Sequence, residues 1–121
     1  MIDSRAELEA ALKVNPALVA NADMRAPILS WAAEFIPDHV CTSTVGLALQ
    51  VIHRALDHEA AFAREGGLHG IEHLMALREE GTLDVPQADL NVLLGRVKMM
   101  RRTDPNDTIR WYCVCIDADW G

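Results

Sequence analysis

Basic residues, aromatics and long apolar runs are all scarce in this chain. Lys and Arg number 11 against 18 Asp and Glu, for a formal net charge of −7. That shortage excludes a general nucleic-acid coat, because binding phosphate needs a dense basic face. No apolar run approaches the roughly 20 residues of a membrane span. The stretch Met1 to Glu9 is polar and acidic, unlike a secretory leader. Cysteine is limited to Cys41, Cys113 and Cys115. An odd number without a leader implies reduced thiols, and hence a cytoplasmic protein. Gly66, Gly67 and Gly70 do not follow a strand, so they make no phosphate loop. No G-x-S-x-G elbow occurs. No cofactor motif is present, and no cofactor is expected.

What remains is apolar and acidic. Half of the 121 residues are hydrophobic, enough for one core in a single domain spanning 1–121. The acidity is dispersed, and residues 66–95 set five acids against Arg78 alone. The basicity is gathered into one heptad holding Arg96, Lys98, Arg101 and Arg102. At a helix C-terminus those cations suit the macrodipole.

The spacing predicts a mainly α protein, a bundle of five or six helices. Ser4 with Glu7 reads as a capping box that starts the first helix, and Asn15-Pro16 ends it. A short second helix follows through Leu18 and Val19. A third runs from Pro27 to Phe35 or Ile36 and stops at Pro37. Residues 38–44 are ambiguous, with several β-branched side chains. A long helix is expected from about Thr44 to Glu65, broken by Gly66-Gly67. Another runs from Leu68 to Glu80 and stops at Gly81. The last is capped by Asp84 and reaches Arg102. After the turn residues Asp104 to Asp107, residues 108–116 read as a short C-terminal β element. A lone strand leaves backbone groups unpaired. It is expected to pair with residues 39–45, with a second copy of the chain, or with another protein's edge.

Several residues stand out against this frame. His69-Gly70-Ile71-Glu72-His73 matches the H-x-x-E-H string of inverted zinc peptidases. The buried stripe Leu68, Ile71, Leu74 and Met75 then places His69 and His73 toward solvent, and with Glu72 they are weak metal candidates. His39 and Cys41 would meet Cys113 and Cys115 only if the two extended segments paired. Glu59 projects between two apolar stripes of the long helix, and its stem is expected to reach solvent. Val92 and Met99 form a spare apolar patch beside Gly95. Trp111, Tyr112 and Trp120 crowd the C-terminal segment beside Asp117 and Asp119, as anchors of a binding surface do.

These features favour a small acidic interaction protein over an enzyme. Its expected role is an adaptor or an inhibitor of a larger protein or nucleoprotein machine. An acidic antagonist occupying a nucleic-acid groove, as some phage inhibitors of bacterial defence do, fits the charge. The expected partner-binding residues are Val92, Met99, Trp111, Tyr112, Asp117, Asp119 and Trp120, and a homodimer is an alternative partner. Two other readings compete. One is a metal-dependent enzyme using His69, Glu72 and His73. The other is a helix-turn-helix regulator using residues 68–80 and 86–102, opposed by Asp84 and Asp89 where base edges would lie.

Overall fold

Seven helices carry the chain in a computed structural model that describes residues 1–121. They are α1 (Arg5–Val14), α2 (Pro16–Ala20), α3 (Ala26–Phe35), α4 (Val45–Leu56), α5 (Ala61–Glu79), α6 (Gln87–Thr103) and α7 (Asp107–Trp120). Two 3₁₀ turns, Ile36–His39 and Thr42–Thr44, join α3 to α4. The N-terminal boundaries follow local chemistry. Ser4 Oγ accepts from the Glu7 amide at 3.1 Å. Asn15 ends α1 and caps α2, its side chain accepting from the Ala17 amide at 3.0 Å. Pro16 then sits in the first turn of α2, where its missing N–H costs nothing.

The expected C-terminal strand is a helix. Asn106 caps α7 by accepting from the Ile109 amide at 3.0 Å, and Asp107 adds negative charge to the first turn. Ile109, Cys113 and Ile116 are buried at a helical spacing. The β-branched and aromatic content of 108–116 suggested extension, but burial of that stripe against α5 and α6 decides the outcome. Residues 39–45 therefore have no strand partner. The one β-bridge joins Ile2 to Met24 at the other end of the chain.

The long helix expected over residues 44–65 is also two pieces. Residues 57–60 interrupt it, and His58 Nδ1 accepts from the Ala60 amide at 2.9 Å, just before α5 begins. Gly66-Gly67, expected to break the helix, lies inside α5. A Cβ on Gly66 would collide with Ser30, and one on Gly70 with the Ala33 carbonyl. One on Gly67 would press on Leu56 Cδ2 at 2.9 Å. These glycines serve close approach, not a turn. The stop comes at Gly81, whose φ of 79° suits glycine.

Those contacts orient the bundle. Ser30 meets Gly66 and Ala33 meets Gly70, so α3 and α5 run parallel. Leu56 meets Gly67 and Ile52 meets Gly70, so α4 runs against α5. Tyr112 reaches His69 while the turn before α7 reaches Arg64, so α7 runs parallel to α5. α6 packs mainly on α7 and hardly on α5. One core of 29 buried apolar residues joins all seven helices. No helix is long and apolar enough to cross a membrane.

Two polar devices fasten the ends. Arg64, buried in the first turns of α5, holds Asp104 through two bonds of 2.7 and 3.0 Å. Its remaining nitrogen donates to the carbonyls of His58 (3.1 Å) and Glu59 (2.6 Å). In a helix continuous from residue 44 to 65, Arg64 would share the polar side with His53 and Asp57. The break at 57–60 turns it inward instead. On α4, Arg54 donates to the Ala20 and Ala22 carbonyls at 3.0 and 2.9 Å, and Gln50 to Ala20 at 3.1 Å. Those bonds satisfy the last carbonyl of α2 and that of Ala22 in the turn beyond it.

Candidate functional site

The outer face of α5 lies between α3 and α7, and it carries the H-x-x-E-H string. The three polar side chains of that string do not converge. Tyr112 Oη donates to the Glu72 carboxylate, and His69 Nδ1 lies 3.0 Å from the same hydroxyl. Because the phenol proton goes to Glu72, Nδ1 is the donor in the second bond. The rings of His69 and Tyr112 meet edge to face at 4.9 Å. His69 Nε2 faces Glu65 at 3.6 Å. His73 turns the other way. Its Nδ1 donates to the Glu34 carbonyl at 3.1 Å, and its Nε2 lies 3.0 Å from Asp38. The string thus clasps α7 with one histidine and the α3 end with the other.

His69, Glu72 and His73 are half-buried, whereas the helix wheel sets His69 and His73 toward solvent. The wheel locates the core stripe but not the neighbours that flank its edges. The Tyr112 hydroxyl is pushed far above its ordinary value, first by burial and then by the Glu72 acceptor. Glu65 and Glu34 add to that field. No group of three or more His, Cys, Asp and Glu side chains gathers where a metal could sit. Without a C-terminal strand, nothing brings His39 and Cys41 to Cys113 and Cys115. Cys113 is buried while Cys41 is exposed. Glu59 falls in the loop before α5 with its side chain in solvent.

The residues expected to bind a partner divide into two groups. Trp111, Val92 and Met99 are 66%, 56% and 54% exposed. Trp111 lies about 200° around α7 from the buried Ile109, so it points away from the core. Val92 and Met99 share one face of α6 with Gly95, which has open space around it. Asp119 is exposed too. The others are engaged within the fold. Tyr112 is held by Glu72, and Asp117 accepts from Arg101 at 2.8 Å. Trp120 packs at the end of the bundle beside Met75, Arg78 and Leu83. Its indole N–H is buried without an acceptor.

Half of the basic heptad, Arg96 and Arg101, is occupied by internal contacts. Arg96 donates to Asp57 and to His53 Nδ1 at 3.0 Å. Burial first, and the Arg96 charge second, hold His53 below its ordinary value, which keeps Nδ1 an acceptor. Lys98, Arg101 and Arg102 surround Asp117 in a shallow surface pocket. With α6 lying on α7, helices α5 and α6 do not form the tight pair that a helix-turn-helix uses.

Sequence reasoning missed the thiol of Cys41. Its Sγ lies 3.0 Å from Ser43 Oγ and 3.3 Å from Thr44 Oγ1. Those hydroxyls, Ser43 foremost, stabilise the thiolate and lower the thiol to about 7. The signal was present as Cys41-Thr42-Ser43-Thr44, hydroxyl residues placed where a capping turn bends them back. Also missed was a cleft of about 250 Å³ between α1 and α3, because its walls come from separate helices.

Comparison with family models, with curated proteins and with solved structures finds no match to this chain.

Proposed function

We propose that this chain is a small acidic interaction protein, an adaptor or inhibitor that binds a larger protein or nucleoprotein machine. The observation that carries the reading is Trp111. It is an indole two-thirds exposed on a helix whose other face is locked into the core. Large aromatics held out on rigid elements are the commonest anchors of protein interfaces. Val92 and Met99 add a second apolar face on α6. The net charge of −7 suits a basic partner surface, such as the nucleic-acid-binding face of a nucleoprotein machine. Asp119 belongs to the proposed surface. Tyr112, Asp117 and Trp120 contribute by holding α7 in place.

A salt series tests the electrostatic part. The complex with a captured partner is expected to form more slowly as ionic strength rises, because the screening length shortens to about 3 Å at 1 M salt. An association rate independent of salt contradicts a basic partner surface.

A further inference from the structure

The cleft between α1 and α3 combines apolar walls with a polar rim, apart from the exposed faces of α6 and α7. Its apolar walls are Leu8 and Leu12 of α1 with Trp31 and Phe35 of α3. Its rim is a second basic patch, apart from the heptad of α6. Arg5, Lys13 and His39 all border it, against the single carboxylate of Glu9.

The donors on that rim are underused. Arg5 spends only Nε on Glu9, at 3.1 Å, and its guanidinium lies 5.0 Å from the Trp31 ring centre and 5.8 Å from that of Phe35. Its two terminal nitrogens have no protein acceptor. Lys13 takes part in none of the ion pairs that engage most of the arginines. Glu9 holds only the Nε edge of Arg5, which leaves the two terminal nitrogens as the donors open to an incoming carboxylate. The Arg5 guanidinium lies against the Trp31 and Phe35 rings from an exposed, mobile-ended side chain, so it can swing aside to admit a planar group.

We infer that this cleft is a binding site for a small aromatic monocarboxylate. The ring takes the place of the Arg5 guanidinium against the Trp31 and Phe35 faces, over a floor of Leu8 and Leu12. The carboxylate takes the terminal nitrogens of Arg5 and the Lys13 ammonium, as charge-assisted hydrogen bonds. A cleft near 250 Å³ has room for one ring with a short chain.

The test uses 3-phenylpropionate as the probe, followed by amide and indole chemical shifts of the full chain. Saturable shifts confined to Leu8, Leu12, Trp31 and Phe35 are expected, with a dissociation constant below about 1 mM. The neutral 3-phenylpropanamide and the ringless butyrate are expected to bind about ten-fold more weakly. Lys13→Gln and Arg5→Gln, both at exposed positions, are expected to weaken the probe by a similar factor while the melting temperature holds. The inference is overturned by an absence of saturation at about 10 mM. It is equally overturned by shifts centred elsewhere, by equal binding of the amide, or by unchanged affinity in both variants.

Discussion

Arg64 and Asp104 form a two-bond ion pair inside the protein, 40 residues apart in sequence, tying the first turns of α5 to the turn that starts α7. The pair is complete because every strong donor and acceptor around it is used. Arg64 also serves the His58 and Glu59 carbonyls, and Asp104 Oδ1 also accepts from the Asn106 amide at 3.0 Å. Arg110 adds a bond to the Asp104 carbonyl at 2.6 Å.

Breaking this pair leaves a buried charge without its partner. Asp104→Asn is expected to cost about 3–5 kcal/mol in urea denaturation. Arg64→Lys should not restore stability, since one ammonium cannot present the planar fork that meets four acceptors. A loss under about 1 kcal/mol for either variant contradicts the keystone role.

The glycines separate into two kinds, and substitution distinguishes them. Gly70→Ala forces a methyl onto the Ala33 carbonyl, where backbone must move, and is expected to destabilise by about 1–3 kcal/mol. Gly95→Ala meets nothing within 4 Å on an exposed stretch of α6, and should stabilise by about 0.5–1 kcal/mol. Thermal denaturation of both variants checks the pair of opposite signs.

The thiols should differ sharply in reactivity. Cys41, lowered to about 7, is expected to alkylate rapidly at neutral pH, and the rate should fall as pH drops through that value. Cys113 is pushed up to about 11, by burial first and Asp104 second, and should be protected. Ser43→Ala is expected to slow Cys41 by removing its main hydrogen-bond partner. Mass spectrometry of the alkylated peptides reads both effects.

The single tyrosine allows a clean alkaline titration. Folding raises the Tyr112 value, so the neutral phenol is favoured in the native state. The stability this contributes is present in full below the unfolded value of about 10 and is lost as pH rises above it. The phenolate absorbance band is therefore expected to appear only together with unfolding. Glu72→Gln should let it appear at lower pH, in advance of unfolding.

The sequence made most of the helices legible through caps and prolines. Ser4, Asn15, Pro16 and Gly81 act as their residue types suggest. It concealed α7, because Ile109, Trp111, Cys113 and Cys115 alternate as well as Ile109, Cys113 and Ile116 recur every three or four residues. Only burial against α5 and α6 chooses between the two periods. Gly66-Gly67 misled for a related reason. A glycine needed for close packing and a glycine needed for a turn look alike until the neighbouring helix is placed. Of the candidate surface, the exposure of Val92 and Met99 was foreseeable from their offset to the core stripe of α6, whereas an extended 108–116 sets Trp111 on one face with the buried Ile109 and Cys113. The tethering of Tyr112 was not, since Glu72 and His69 lie about 40 residues away.

The account rests most heavily on Trp111 as the anchor of a partner surface. The direct measurement is affinity capture of host proteins by the intact chain and by Trp111→Ala, with helix content and melting temperature recorded for both. The expected result is a specific partner held by the intact chain and released at least ten-fold faster by the variant, about 1.4 kcal/mol or more, with both folds equally stable. A partner retained equally by the two proteins would contradict the account.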